Sequence, residues 1–153
     1  MGREALEREI GDELAELQAA YDDSDRALAD RLGIGRTDLR CLDLIVRGGP
    51  CSATQVAARL GLTRGSVTAL LDRLERAGYA SRQPDPAHGK RVLVVPTQRL
   101  IELVAPLVEP RARAGREQLA PYSAGELRLI RTFLRETRVR HADYAAELRG
   151  TPS

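Results

Sequence analysis

Apolar residues recur every three or four positions along most of this chain, the period of a helix with one buried face. Between residues 4 and 32 the series is Leu6, Ile10, Leu14, Leu17, Tyr21, Leu28 and Leu32, with acids crowding the opposite face. Gly33 supplies the stop, so one long helix is predicted. A second helix is predicted from about Thr37 to Arg47, carrying Leu39, Leu42, Leu44 and Ile45, and "GGP" at 48–50 breaks it. "SATQ" at 52–55 then reads as a capping box that opens a helix to Leu60, closed by Gly61. Thr63 caps the next helix, "TRGSVTALLDRLERAG", whose buried stripe is Val67, Leu70, Leu71 and Leu74 and whose end is Gly78. Helix, short glycine turn and longer helix over 52–78 have the spacing of a helix-turn-helix.

After Gly78 the period changes from helical to alternating. Tyr79–Gln83 and Arg91–Val95 are short and rich in strand formers, and the stretch between them holds two prolines and a glycine. A β-hairpin following a helix-turn-helix is the layout of a winged helix. Helical spacing resumes over 98–118 with Leu100, Ile101, Val104, Leu107 and Val108; Pro106 and Pro110 are expected to kink or interrupt it. "SAGE" at 123–126 is a second capping box, and Leu127, Ile130, Phe133, Leu134, Val139 and Ala142 carry a last helix to about Leu148. Thr151, Pro152 and Ser153 should form a loose tail. The expected fold class is mostly α (α+β). It divides into an N-terminal dimerisation helix at 1–34, a winged helix-turn-helix lobe at 35–97 and C-terminal dimerisation helices at 98–153, all in one intertwined domain.

Composition narrows the function. Only 3% of the 153 residues are aromatic, so Leu, Val, Ile and Ala must build the core, which suits helix packing. No apolar run approaches the roughly 20 residues of a membrane helix, and the acidic, amphipathic start does not read as a signal peptide. Cys41 and Cys51 make no disulfide framework, and a cytoplasmic location is expected. Net charge is +2, yet residues 52–99 hold eight bases against three acids, while residues 1–51 hold twelve acids against seven bases. A local basic block in a near-neutral chain fits a module that faces a polyanion, although a merely solvated basic surface fits the count equally well. His88 and His141 are too scattered for a zinc site, and neither a nucleophile elbow nor a phosphate-cradling glycine loop is present. No metal, no cofactor and no enzymatic activity are therefore expected.

The segments "DLRCLDLI", "GGPCSATQVAARLGLTRGSVTALLDRLERAGYASR" and "DPAHGKRVLVVPT" together resemble the MarR family of bacterial transcriptional regulators, over nearly the whole chain. The resemblance implies a homodimer built by interleaving terminal helices. It also implies binding of double-stranded DNA at a pseudo-palindromic operator, usually as a repressor relieved by a small molecule. One departure stands out. The family wing usually reads Asp-Arg-Arg where this chain has His88-Gly89-Lys90. The duty of the groove-entering arginine then falls on Lys90 or Arg91, and a wing with a glycine and no anchoring acid should be more mobile.

On that frame the candidate DNA-binding residues are Ser52, Thr54, Thr63, Arg64, Gly65, Ser66, Thr68, Arg73, Lys90 and Arg91. Arg64 is best placed for bidentate reading of a guanine. Ser52 and Thr54 sit where a helix end crosses the DNA backbone, besides their capping duty. Arg73 has two destinations, a phosphate or a neighbouring acid such as Asp72. Two recognition helices one DNA turn apart, roughly 34 Å, would fit two half-sites. An effector pocket is expected with walls from Leu17, Tyr21, Leu39, Leu42 and Leu44. Cys41 is expected in the core. Cys51, just before a helix cap, is where a thiolate could be stabilised. The redox-sensing branch of the family uses a cysteine near the end of the first helix, and this chain has none there. The alternative to a DNA-binding regulator is a winged-helix protein-interaction module with weakened DNA binding, a reading that the altered wing keeps open.

Overall fold

The computed structural model describes residues 2–150. The expected loose tail lies outside them. The elements are α1 (Arg3–Leu32), α2 (Arg36–Gly48), α3 (Ala53–Leu60), α4 (Arg64–Arg76), β1 (Ala80–Pro84), β2 (Val92–Pro96), α5 (Gln98–Leu119) and α6 (Ala124–Leu148). The fold is mostly helical with one small sheet, as the periodicity predicts. The chain divides into two compact units, the first ending at Leu103 and the second beginning at Val104, so the boundary falls inside α5.

The first unit holds the core. Leu39, Cys41, Leu42 and Ile45 of α2, Val56 of α3, and Val67, Leu70, Leu71 and Leu74 of α4 are all buried. Ala29 and Leu32 of α1, Cys51, Tyr79, Ala80, Val94 of β2 and Leu100 of α5 are buried with them. β1 and β2 pair antiparallel with Ala80 opposite Pro96 and Pro84 opposite Val92. Cys51 adds an isolated antiparallel bridge to Val94, with hydrogen bonds of 3.3 and 2.8 Å between their backbones. The loop that leaves α2 is thereby fastened to the wing strand. The Tyr79 hydroxyl donates to the Leu32 carbonyl at 2.9 Å inside the core, and so ties the end of α1 to the start of the wing.

The second unit is different. None of its described residues is buried, and α6 buries nothing. Leu107, Val108, Leu119, Leu129, Phe133, Leu134, Tyr144 and Leu148 are all exposed. Of the expected kink or interruption at Pro106 and Pro110, the interruption does not occur: α5 runs through both prolines. The two prolines are four residues apart, so the two missing N–H donors lie on one side of the helix. The bonds from the remaining residues carry it through.

Candidate nucleic-acid interface

Two capped helix starts lie in the first unit. At α3 the Ser52 hydroxyl accepts from the Gln55 N–H at 3.3 Å, while the Gln55 side-chain oxygen accepts from the Ser52 N–H at 2.8 Å. Thr54 is exposed on the first turn. At α4 the Thr63 hydroxyl accepts from the Ser66 N–H at 3.2 Å and shares a 2.8 Å hydrogen bond with the Ser66 hydroxyl. The Thr68 hydroxyl donates back to the Arg64 carbonyl at 3.1 Å. Both short hydroxyls are therefore already engaged within the helix, though each keeps a lone pair facing outward.

Arg64 and Gly65, at the first two positions of α4, are exposed, and their N–H groups lie at the open end of the helix. The Arg64 guanidinium has no hydrogen-bond or ion-pair partner among the described residues. A free cation at a free helix N-terminus suits an anion or the acceptor edge of a base. The stripe of Val67, Leu70, Leu71 and Leu74 turns the opposite side of α4 into the core, which leaves this end facing out.

Arg73 is placed elsewhere. Its Nη2 and Nε donate to the two carboxylate oxygens of Asp38 at 2.6 and 3.1 Å. The Asp38 side chain is only 6% exposed and the Arg73 side chain 49%. The hydrogen bond to Asp38 strengthens the arginine's hold on its proton, against a smaller opposing effect of burial. Of the two destinations open to Arg73, the structure shows the acid, and the acid is Asp38 rather than Asp72. Asp72 and Glu75 are held instead by Arg82 of β1: Nη2 bonds Asp72 at 2.8 Å, Nη1 bonds Glu75, and the Arg82 N–H donates to Glu75 at 2.8 Å. Burial works against the charge of Arg82, but the two carboxylates outweigh it and raise its pKa.

The wing has an acid after all, at a different position. Asp85 is 9% exposed, and its carboxylate accepts from the Ala87 N–H at 2.9 Å. Its own N–H donates to the Arg91 carbonyl at 2.8 Å, and the Arg91 N–H donates to the His88 carbonyl at 2.7 Å. The tip is thus a backbone-bonded turn rather than an unanchored loop. Gly89 does not need its glycine. Its φ is not positive, and a Cβ there would meet nothing within 4 Å. The Arg91 side chain turns back, donating to the Gln55 side-chain oxygen at 3.0 Å. Lys90 is exposed at the tip with no partner among the described residues.

The expected effector walls do not share one environment. Leu39 and Leu42 are core residues and Leu44 is half-buried, whereas Leu17 and Tyr21 of α1 are 44% and 51% exposed. A cleft of about 360 Å³ beside α2 is lined by Gly33, Ile34, Arg36, Thr37, Asp38 and Arg73, among others, with polar and apolar surface in about equal share. Cys41 is fully buried, and burial, then Cys51 and Asp38, push its thiol up to about 12. Cys51 corrects the sequence reading. It is buried in the bridge to Val94, and burial raises its pKa although Arg59 pulls the other way, so its thiolate is disfavoured.

A family model described as the MarR family matches residues 32–91, which covers α2, both helices of the helix-turn-helix and the wing turn. The HTH-type transcriptional regulator YcgE of Bacillus subtilis (strain 168) is 38% identical over 109 residues, 71% of either chain. The chain belongs to the MarR family. As a member it is a transcriptional regulator. PecS, an HTH-type transcriptional regulator of Dickeya dadantii (strain 3937), is 29% identical over 116 residues, 72% of this chain and 70% of its own. The fold is matched by a solved MarR family protein from Bacillus stearothermophilus. That match has a TM-score of 0.65 at 19% identity, over 93% of this chain and 99% of that one. Among the described residues no helix of this MarR family member is long and apolar enough to cross a membrane.

Sequence reasoning missed Asp38, Arg82, Asp85 and the reach of Arg91 to Gln55. Two of these had signals. Asp38 lies in line with Cys41, Leu42 and Ile45, inside the apolar stripe of α2, where a carboxylate needs a cationic partner. Asp85 precedes Pro86 and Ala87, the pattern of an Asx turn.

Proposed function

We propose that this regulator is a repressor that binds double-stranded DNA as a homodimer, in the cytoplasm, at a pseudo-palindromic operator. The observation that carries the reading is the unpaired Arg64 at the open N-terminus of α4. Bound to DNA, α4 enters the major groove by that end, with Arg64 donating to the O6 and N7 of a guanine. Gly65 lets the backbone come close, and Ser66 and Thr68 use their outward lone pairs. Ser52, Thr54 and Thr63 offer helix-start groups to phosphates. Lys90 reaches the backbone or minor groove from the wing tip as a point charge. Arg73 and Arg91 are already occupied, by Asp38 and Gln55, and act by holding α4 and the wing in place.

The dimer reading rests on the exposed apolar faces of α1, α5 and α6. Leu6, Ile10, Phe133 and Leu134 are each at least 40% exposed in the isolated chain, and a second copy would cover them. A small-molecule effector is part of the proposal, with the cleft by Asp38 and Arg73 as the place in the first unit where it would touch α4. Selection of bound duplexes from a random DNA pool tests the function, followed by a salt-titrated gel shift on the selected sequence. An inverted repeat whose half-sites are one DNA turn apart is the expected result. No enrichment, with binding equal on all duplexes, would favour a protein-interaction module instead.

A further inference from the structure

Two side chains of this chain ordinarily change charge between pH 5 and 8, the imidazoles of His88 and His141. Both cysteines are buried and do not join them. His141 lies on α6 in the second unit, and His88 on the turn between β1 and β2. Both backbone groups of His88 are used in that turn. Its N–H donates to the Asp85 carbonyl at 3.2 Å, and its carbonyl accepts from the Arg91 N–H at 2.7 Å. The residue is thereby held at the tip. It is exposed, and its ring has no hydrogen-bond or ion-pair partner among the described residues. Of the charged groups along the turn, Asp85 is buried with its carboxylate on the Ala87 N–H, and Arg91 is turned back onto Gln55. Lys90 is exposed and unpaired. From α3 the group that bonds the wing is the neutral Gln55, and from α4 Asp72 and Glu75 bond Arg82. The tip therefore carries one free cation when the His88 ring is neutral and two when it is protonated.

We propose that His88 is a DNA contact made in its protonated form: the imidazolium donates to a backbone phosphate beside Lys90, so that DNA binding takes up a proton at each wing and tightens as the pH falls. This rests on the DNA-binding reading above. A neutral imidazole has one N–H and one acceptor nitrogen, whereas the protonated ring has two donors and no acceptor, which suits the oxygens of an anion. A phosphate favours the protonated ring, so proton uptake and binding reinforce each other. The gain is complete well below the ordinary imidazole midpoint, about pH 6.5, and is lost as the pH rises above it. Phosphates are alike on every duplex, so the gain is independent of base sequence, unlike the guanine reading by Arg64.

The test uses the full-length chain, with the selected operator and a scrambled duplex of the same length as probes, by fluorescence anisotropy. From pH 8 to pH 6 at fixed sodium chloride the parent should bind both duplexes about tenfold more tightly, roughly threefold for each wing, and its salt slope should steepen by about 0.9 per wing. His88→Gln keeps a polar side chain but removes the titration, and its affinity should change less than about twofold over the same range. His88→Arg should hold at pH 8 the affinity that the parent reaches only at pH 6. His141→Gln should titrate as the parent does. The His88 variants should melt at the temperature of the parent, because the residue is exposed and its ring bonds nothing. If the parent binds neither duplex at either pH, the DNA-binding reading falls and this contact with it. If the parent binds equally at both pH values, if His88→Gln keeps the pH dependence, or if His141→Gln removes it, DNA binding stands and His88 is not a protonated contact.

Discussion

Removing Arg73 should cost more than removing Asp38, because the two partners are buried to different degrees. The pair has two charge-assisted hydrogen bonds, 2.6 and 3.1 Å long. Asp38 is almost out of reach of water, and Arg73 is half in it. Breaking a fully buried pair by deleting one partner costs about 3–5 kcal/mol. The exposed guanidinium screens this one, so we expect about 2 kcal/mol for Arg73→Ala, which strands a carboxylate in the core. Asp38→Ala strands a guanidinium that rehydrates in place, and about 1 kcal/mol is expected. The double variant should then cost about as much as Asp38→Ala alone, a coupling of roughly 1–2 kcal/mol. Urea unfolding at one fixed protomer concentration measures all four proteins. The same variants separate a strut from a DNA contact. A strut predicts that Arg73→Ala weakens operator binding without changing its salt slope. A phosphate contact predicts a slope smaller by about 0.9 per arginine. Coupling under about 0.5 kcal/mol, or Asp38→Ala as the costlier single change, would refute the argument from burial.

Arg64→Ala should cost about 1–3 kcal/mol on the selected operator and much less on random DNA, measured by gel shift; equal losses would mean a phosphate contact only. Lys90→Ala should weaken all duplexes alike and lower the salt slope by about 0.9 per wing, read from affinities across a salt series. His88→Asp with Gly89→Arg should tighten binding without loss of thermal stability, since residue 89 has open space and an ordinary φ; unchanged affinity would show that the wing tip is not a contact. Neither cysteine should react with a thiol reagent at pH 8 in the native protein. Above pH 9 stability should fall, because the Cys41 thiol ionises in the unfolded chain near its ordinary value of 9.0 but in the folded one only near 12; urea midpoints unchanged from pH 9 to 11 would contradict its burial.

The helix-turn-helix was legible because its punctuation is local. The Ser52–Gln55 box, the Thr63 cap and the stop at Gly61 are fixed by neighbours three or four residues apart, and the buried stripe of α4 repeats at the helical period. What the chain did not disclose in one dimension is long-range. Arg73 meets Asp38 across 35 positions and Arg91 meets Gln55 across 36, and no period links them. Cys51 looked like a residue poised at a helix start. Its bridge to Val94, which decides its burial, is a contact between a loop and a strand far along the chain. The prolines of α5 do not interrupt it because propensity is a local cost, and the rest of a 22-residue helix outweighs it.

The charge count over residues 52–99 does not say which bases are available to a partner. Of the eight bases between residues 52 and 99, Arg73 is matched by Asp38, and Arg82 by Asp72 and Glu75. Arg76 caps the Asp72 carbonyl, and Arg91 is bonded to Gln55. A count that treats every arginine as available would spread the polyanion-facing surface over half the lobe. Once the occupied ones are set aside, Arg59, Arg64, Lys90 and Arg99 remain, and of these Arg64 lies at the open end of α4 and Lys90 at the wing tip. The occupied arginines explain why those two stay in register. Arg82 fastens β1 to α4 through a backbone bond and two carboxylates, while Asp38 grips α4 through Arg73. A shift of α4 must therefore either carry the wing with it or break those pairs. The occupied arginines fix the spacing between Arg64 and Lys90.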